Sequence, residues 1–219
     1  MDYAAARRHM VDSQILPNKV TDPRIIDSMA TLPRESFVPE NRRSTSYVDE
    51  ALSVGDNRYL MEPMVVARLL QLAEPSEEDL ALIIGCATGY TAAVLAGMIG
   101  TAVVVESNAA MAENASQILS DLGIDNVAVM EGALIEGYPK QGPYDVIVFD
   151  GAVPEVPQAI IDQLAEGGRL VAVVGGGDDK TMGHVVIMTR YHGVVSSTDM
   201  FQAGTPMLPG FETSAGFSF

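Results

Sequence analysis

Apolar runs alternate with amphipathic segments along the chain from Leu80 onward. Continuous Val, Ile and Leu runs predict buried strands at 80–85, 101–107, 126–132, 144–152 and 169–175. Apolar residues at helical spacing predict intervening helices at 88–98, 108–123 and 156–168. A further strand is predicted at 184–191, where the glycine-rich turn at 175–183 allows an antiparallel return. Since unbroken apolar strands are covered on both faces, we predict an α/β fold: a doubly wound, Rossmann-like parallel sheet with helices on both faces.

The first 75 residues follow a different pattern. Helices are predicted at 4–15, at 22–33 with Thr21 as its cap, and at 63–75. The stretch at 34–63 is mostly loop, and a loop that long inside a compact domain is usually functional. We predict a single domain over 1–219, with an N-terminal cap and substrate loop at 1–75 and a cofactor-binding α/β core at 76–219.

The carboxyl ends of the predicted strands are where a ligand of such a sheet binds. The first strand runs into a turn of Gly85, Cys86, Ala87, Thr88, Gly89 and Tyr90. The second strand ends at Glu106, which suits a hydrogen bond to a ribose diol but is also an ordinary position for an acid. The fourth ends at Asp150. The Gly-x-x-x-Gly spacing departs from the Gly-x-Gly-x-x-Gly of pyrophosphate binders and disfavours NAD or ATP.

The amino-acid composition disfavours several classes of binding partner. The 219 residues are 47% apolar and carry a formal net charge of −16, which argues against nucleic acid and anionic lipid as partners. No apolar run approaches the roughly 20 residues of a membrane span. One cysteine and no secretion signal favour a reducing, cytoplasmic setting. The three histidines are scattered, so we expect no metal site, and the sequence leaves the oligomeric state open.

Motifs along nearly the whole chain resemble one family. RRHMVDSQI, DPRIIDSMATLPRESFVPE and SYVDEALSVGDNRYLMEPMVVA precede the turn LIIGCATGYTAAVLA. VVVES, NVAVMEGALIEG and PYDVIVFDGAVPEVPQAIIDQLAEGGRLVAVVG follow it. In this order they resemble the protein-L-isoaspartate (D-aspartate) O-methyltransferases. The resemblance implies S-adenosylmethionine as cofactor and isoaspartyl-containing proteins or peptides as substrate, methylated on the α-carboxylate for protein repair.

The resemblance also implies roles for individual residues. Residues 85–90 would surround the methionine part of the cofactor. The other implied cofactor-binding residues are Glu106 and Ser107 at the ribose, Gly132, Ala133 and Leu134 near the adenine, and Asp150. The implied substrate loop comprises Tyr59, Leu60 and Pro63, with Met61 and Glu62 at its catalytic positions.

Several positions depart from the family pattern. Ile83 and Ala133 stand where the family has acids, and Ala87 replaces the middle glycine of the turn. Met61 replaces a hydroxyl residue, and Glu62 adds a negative charge beside an anionic substrate. The lost hydrogen bonds predict cofactor binding weaker by roughly one to three powers of ten.

Three functions stay open on this sequence. The first is an isoaspartyl methyltransferase with a variant site. The second is a methyltransferase of the same fold with a neutral or cationic acceptor, which Met61 and Glu62 favour. The third is a non-catalytic binding protein that has lost the donor, which Ile83 and Ala133 favour. A nicotinamide dehydrogenase is disfavoured by the glycine spacing.

Overall fold

A seven-stranded, mostly parallel sheet forms the centre of the protein. The computed structural model describes residues 1–176 and 182–211. The strands are β1 Leu52–Gly55, β2 Arg58–Leu60, β3 Leu80–Ile84, β4 Thr101–Glu106, β5 Val127–Glu131, β6 Tyr144–Val153, β7 Leu164–Val174, β8 Gly183–Tyr191 and β9 Val194–Ala203. The helices are α1 Tyr3–Met10, α2 Pro23–Thr31, α3 Pro63–Ala73, α4 Tyr90–Ala96, α5 Ala109–Asp121 and α6 Gln158–Ile161.

The sheet order is β5-β4-β3-β6-β7-β8-β9, while β1 and β2 form a separate hairpin. Strands β3 to β7 pair in parallel, and β8 and β9 are added antiparallel. The chain moves outward from β3 to β5 and then returns to the other side of β3 with β6. The carboxyl ends of β3, β4 and β6 therefore meet where the strand order reverses, as the α/β prediction requires.

Alternate residues of each central strand face two separate cores, which explains the unbroken apolar runs. Ala81 and Ile83 pack with buried residues of α1 to α5 in one core. Leu82 and Ile84 face the other core, which is closed by α6, by Leu134 and by the segment that follows β9. Within the described residues, helices thus lie on both faces, but unevenly: α1 to α5 on one face and the four-residue α6 on the other.

The predicted helix at 156–168 is wrong beyond its first turn. Helix α6 ends at Ile161, and Leu164 already pairs with Tyr144 as the start of β7. The segment that follows the helix pairs with β6, and Gly168 lies against that strand. A Cβ at Gly168 would lie 2.9 Å from the Ala165 carbonyl oxygen and 3.0 Å from the Tyr144 carbonyl oxygen of β6, so the backbone there leaves no room for a side chain.

Two hairpins were absent from the prediction. Strand β9 was missed because its VVSSTDMFQA sequence is largely exposed at the sheet edge and carries little apolar signal. It follows β8 through His192 and Gly193, both at positive φ. The second hairpin, β1–β2, lies inside the predicted loop at 34–63 and turns at Asp56 and Asn57, also at positive φ. Two consecutive left-handed residues suit a tight hairpin turn.

The N-terminal helices differ from the prediction at their ends. The cap of α2 is Asp22, whose side chain accepts a hydrogen bond from the Arg24 backbone N–H at 2.9 Å, and not Thr21. Helix α1 ends at Met10, and a π-helical turn over Val11–Ile15 completes the predicted segment. The strand at 184–191 returns antiparallel as expected, although part of the turn before it, 177–181, lies outside the described residues.

Candidate active site

The turn after β3 begins the site at the strand ends. Gly85, Ala87 and Gly89 have φ values of 78°, 48° and 94°. The turn is closed by backbone hydrogen bonds from Gly85 N–H to Val105 O and from Gly89 N–H to Cys86 O, both 2.8 Å. An alanine at positive φ is strained where glycine would not be, which is the structural meaning of the Ala87 departure. Cys86 is fully buried, and burial raises the pKa of its thiol well above the ordinary value.

Glu106, at the end of β4, is fully buried and already has four hydrogen-bond donors. Its Oε2 accepts from Arg58 Nη2 and from the Ala87 backbone N–H, each at 2.8 Å. Its Oε1 accepts from the Asn108 N–H at 3.1 Å and, weakly, from the hydroxyl of the exposed Ser107 at 3.4 Å. Three of the roughly four acceptor positions of an ionised carboxylate are therefore firmly occupied, and the Ser107 position only weakly.

Asp150, near the end of β6, is buried beside the turn. Its Oδ1 accepts a hydrogen bond from the Thr91 hydroxyl at 2.6 Å. Burial raises the pKa of the Asp150 carboxyl to about 6, against opposing effects of the Thr91 hydrogen bond and of the positive charges of Arg58 and Arg34. A carboxyl that titrates near neutrality at a strand end is typical of a functional site.

Tyr90 and Thr88 face the N-terminal cap. The Thr88 hydroxyl donates to Phe37 O at 2.6 Å. The Tyr90 ring packs edge-on against Phe37 with centroids 5.3 Å apart, and the Arg34 guanidinium carbon lies 4.5 Å from the Tyr90 centroid. Both side chains therefore fix the cap to the turn.

The predicted substrate loop is largely internal. Leu60 and Met61 are buried in the core, and Pro63 opens α3. The Met61 carbonyl accepts a hydrogen bond from Arg34 Nη2 at 2.6 Å, so buried Arg34 anchors the loop. Tyr59 and Glu62 are half-buried, and burial raises the pKa of the Glu62 carboxyl. Of the five predicted residues, only these two have partly exposed side chains.

The three residues predicted to lie near the adenine differ in burial and in their contacts. The Gly132 N–H donates to Glu106 O at 3.0 Å, which keeps it beside the end of β4. Leu134 is buried next to Gly85, whereas Ala133 is exposed.

Two residues that the sequence did not single out lie at the centre of the site. Arg58, from β2, is 3% exposed and pairs with Glu106. Leu208 lies over the turn: a Cβ at Gly85 would be 2.7 Å from Leu208 Cδ2, and one at Gly151 would be 2.8 Å from the same atom. One feature of the sequence could have indicated Arg58: a carboxylate buried at the end of a strand, as Glu106 is, needs a cationic partner. Nothing in the sequence pattern pointed to Leu208.

A small cavity borders some of these groups. A cavity of about 10 Å³ is lined by Asn57, Arg58, Tyr59, Met61, Asp150, Gly151, Thr205, Pro206, Met207 and Leu208. That is barely room for one water molecule. A larger cleft of about 460 Å³ lies between residues 36–40 of the cap and α5, and Thr88 reaches it from the turn. Its lining includes neither Gly85, Glu106 nor Asp150, so it is not the pocket expected at the strand ends.

The strand order, the glycine turn after β3 and the carboxylate at the end of β4 define a Rossmann-like methyltransferase fold. Residues 5–200 match the model of the Protein-L-isoaspartate(D-aspartate) O-methyltransferase (PCMT) family, cap included. The chain therefore belongs to this family.

Individual relatives agree over most of their length. A protein-L-isoaspartate O-methyltransferase of Methanoregula boonei is 40% identical over 184 residues, which are 84% of this chain and 83% of the relative. Protein-L-isoaspartate O-methyltransferase 1 of Rhodopseudomonas palustris is 38% identical over 188 residues, 86% of this chain and 76% of the relative.

Solved structures share the fold. A protein-L-isoaspartate O-methyltransferase superposes with a TM-score of 0.81 at 25% identity, covering 94% of this chain and 67% of the other. A putative family member from Plasmodium falciparum, solved with S-adenosyl-L-homocysteine, superposes with a TM-score of 0.78 at 16% identity, covering 93% and 98%. At that identity the second likeness shows the fold alone.

The family uses S-adenosylmethionine, and the residues at the strand ends fit this donor in kind. The turn, the strand-end carboxylate and Asp150 have the expected chemistry and converge at one edge of the sheet. Arg58 contacts Glu106, and Leu208 lies beside Gly85 and Gly151. Among the described residues, no group of three or more His, Cys, Asp or Glu side chains is arranged to hold a metal ion. No helix within the same residues has the length and apolarity to cross a membrane.

Proposed function

We propose that this protein is an S-adenosylmethionine-dependent O-methyltransferase that methylates the α-carboxylate of isoaspartyl residues in proteins and peptides. The observation that carries the proposal is the family match over residues 5–200, which includes the cap as well as the sheet. Relatives near 40% identity over most of the chain support the same activity.

The donor site of this proposal lies at the ends of β3, β4 and β6. Residues 85–90 would border the methionine part, Glu106 would accept the ribose hydroxyls, and residues 132–134 would lie toward the adenine. When bound, the donor supplies a methyl group on a positively charged sulfur. This sulfur leaves readily as a neutral thioether. The protein mainly has to hold the donor and the acceptor in line, because the acceptor carboxylate is already ionised at neutral pH.

The acceptor would enter beside residues 59–63. Arg34 holds this loop through the Met61 carbonyl, so its backbone position is fixed while Tyr59 and Glu62 remain partly accessible. Asp150 and the loop line the same small cavity, which supports a reaction centre between them.

A methylation assay tests this function. Purified protein is incubated with labelled S-adenosylmethionine and either an isoaspartyl peptide or the matched aspartyl peptide. We expect label in the isoaspartyl peptide alone, released by base as expected for a methyl ester. Binding of S-adenosylhomocysteine without any transfer to the isoaspartyl peptide would reject this acceptor.

A second candidate is a methyltransferase of the same fold with a neutral or cationic acceptor. It is favoured by Glu62, a half-buried acid beside the reaction centre that would repel an anionic substrate. Label transfer to an amine or alcohol acceptor, with none to the isoaspartyl peptide, would support it.

The remaining assignments rest on composition. A reducing, cytoplasmic setting is favoured by the lone cysteine, and the net charge of −16 disfavours nucleic acid as a partner.

A further inference from the structure

We propose that Glu62 binds the acceptor in its neutral form: its carboxylic acid donates a hydrogen bond to the isoaspartyl α-carboxylate. This role replaces the hydroxyl that the family pattern has one residue earlier, where this chain has Met61. The proposal rests on the proposed function, because it concerns the same acceptor. It goes beyond that function by naming the group that recognises the acceptor and by making acceptor binding depend on pH.

The Glu62 carboxyl does not cap the helix that it precedes. Glu62 stands directly before α3, where a side-chain oxygen often caps a helix, but it makes no capping hydrogen bond. Asp49 contacts this helix start instead, and its Oδ1 accepts a hydrogen bond from the Met64 N–H at 3.3 Å. Glu62 Oε2 is buried and has no hydrogen-bond partner among the described residues. Since a buried polar atom without a partner is costly, a ligand-binding role explains this oxygen better than a structural one.

Thr205 places Glu62 beside the small cavity at the strand ends. The Thr205 hydroxyl is near enough to the Glu62 carboxyl to influence its pKa, and Thr205 lines the cavity together with Met61 and Asp150. Within residues 1–176 and 182–211, the buried Thr205 hydroxyl also has no hydrogen-bond partner. A neutral Glu62 and Thr205 together offer two O–H donors, and one carboxylate oxygen accepts two hydrogen bonds. The pair therefore matches one oxygen of the acceptor.

The surroundings of Glu62 favour its neutral form. Burial raises the pKa of this carboxyl, and the negative charge of Asp49 acts in the same direction. The Glu62 backbone N–H, the Thr205 hydroxyl and the positive charge of Arg34 oppose this rise in pKa. A bound isoaspartyl carboxylate adds a second negative charge and raises the pKa further. The acceptor therefore selects the protonated form, in which Glu62 no longer repels it.

Glu62 keeps its proton through the reaction. It donates to the carboxylate oxygen that does not attack, and the other oxygen stays free to take the methyl group. The ester that forms is uncharged, so it no longer favours the neutral form of Glu62. At a pH where free Glu62 is ionised, acceptor binding therefore takes up a proton, and departure of the ester releases it.

The test is calorimetric titration of an isoaspartyl peptide into protein saturated with S-adenosylhomocysteine, which allows binding but no methyl transfer. The peptide α-carboxylate stays ionised from about pH 5 to about pH 8, so a change in affinity across this range reports on the protein. We expect the dissociation constant of the wild type to rise with pH, by up to about tenfold per unit where free Glu62 is ionised. Titrations in two buffers of different ionisation enthalpy should show uptake of up to about one proton per peptide.

Two substitutions separate hydrogen bonding from charge. Glu62→Gln keeps a donor but cannot titrate, so it should match the wild type near pH 5 and lose both the pH dependence and the proton uptake. Glu62→Ala has no donor and should bind the peptide about tenfold more weakly than Glu62→Gln at every pH. If Glu62 acted only by repulsion, the two variants would bind the peptide equally.

Two further variants serve as controls. Glu74→Gln makes the same change at the exposed C-terminal end of α3 and should leave the affinity and its pH dependence unchanged. Asp150→Asn addresses the other acid of the site, because the pKa of Asp150, about 6, lies in the same range. Proton uptake on peptide binding should persist in Asp150→Asn, which assigns the proton to Glu62.

Titration of S-adenosylhomocysteine alone checks that each variant is folded with an intact donor site. If the isoaspartyl peptide is bound and methylated but its affinity does not depend on pH, or if the two Glu62 variants bind it equally, the role of Glu62 is rejected while the proposed function stands. If the peptide is neither bound nor methylated, both proposals fail.

Discussion

Asp150 is the residue whose environment most directly predicts a pH dependence. Its pKa in the folded chain, about 6, lies above the ordinary 3.8 because the carboxyl is buried. The folded state therefore holds the proton more tightly than the unfolded state. Asp150 lowers stability progressively as pH rises from about 4 to about 6, and this loss persists at higher pH.

Asp150→Asn should remove that dependence, because the amide stays neutral and its oxygen still accepts from Thr91. We expect the variant to gain stability relative to the wild type by about 1–2 kcal/mol more at pH 8 than at pH 5. Urea unfolding of both proteins across this range measures the difference. A gap that does not change with pH would show that Asp150 is ionised in the folded chain throughout.

The Arg58–Glu106 pair should behave as a coupled unit. Both side chains are buried at 2.8 Å, so Glu106→Gln leaves an uncompensated guanidinium and should cost about 3–5 kcal/mol. The double variant Arg58→Met, Glu106→Gln removes both charges and should cost clearly less than the sum of the two single changes. A double-mutant cycle in urea measures the coupling. Additive single effects would mean that the pair is not a unit.

For single residues, the sequence predicted which side chains lie at the strand ends better than it predicted which other residues contact them. Gly85, Glu106 and Asp150 were expected together because each ends a parallel strand, and parallel strand ends share one edge. Arg58 arrives through a hairpin, and Leu208 arrives through a segment that folds back after β9. Neither path leaves a periodic signal. The one indication was the need of Glu106 for a cationic partner, and it did not single out Arg58.

Among the elements, β7 shows how a close backbone approach overrides helix-like periodicity. The run from Val156 to Gly168 has apolar residues at helical spacing, yet the chain turns into a strand at Leu164. Leu164 and Arg169 pair with Tyr144 and Val146 of β6, and Gly168 passes close to the Tyr144 carbonyl. The five parallel strands were predictable from apolar runs alone. The extent of α6 and the polar edge strand β9 were not, since contacts distant in sequence decide both.

Gly168→Ala should therefore destabilise the protein by roughly 1–3 kcal/mol, because the new methyl group overlaps backbone atoms at about 3 Å. Gly97→Ala is the control, since nothing lies within 4 Å of a Cβ there and its φ is negative. We expect the control to be neutral or slightly stabilising. Thermal unfolding of the two variants should separate them by several degrees. Equal melting temperatures would contradict the close approach at Gly168.

The molecule as a whole is joined across the predicted boundary between cap and core. Met10 and Leu69 from the cap belong to the same core as Ile83 and Val148 from the sheet. Arg169 of β7 donates to the Ala73 carbonyl at 2.9 Å, and the Ser28 hydroxyl donates to Val94 O at 3.1 Å. The division into a cap at 1–75 and a cofactor-binding core at 76–219 stays a prediction, and it concerns function. The packing does not suggest independent folding.

We expect one cooperative unfolding transition in urea. The chain has no tryptophan, so tyrosine fluorescence and far-ultraviolet circular dichroism are the two probes. The fluorescence sums seven tyrosines, of which Tyr3, Tyr47 and Tyr59 lie in the cap and Tyr90 packs against it, while circular dichroism reports on the sheet and helices. Coincident midpoints are the expected outcome. A separate, earlier fluorescence transition would indicate a cap that unfolds by itself.

The buried thiol in the turn has a practical consequence. Cys86 is the single cysteine of the sequence, is fully buried and has a raised pKa, so it should react very slowly with alkylating reagents while the turn stays buried. Every brief excursion that uncovers the turn gives the reagent an opportunity. The labelling half-time of the unmodified chain, followed by mass spectrometry, then measures how often this turn becomes exposed. No dye or engineered residue is required.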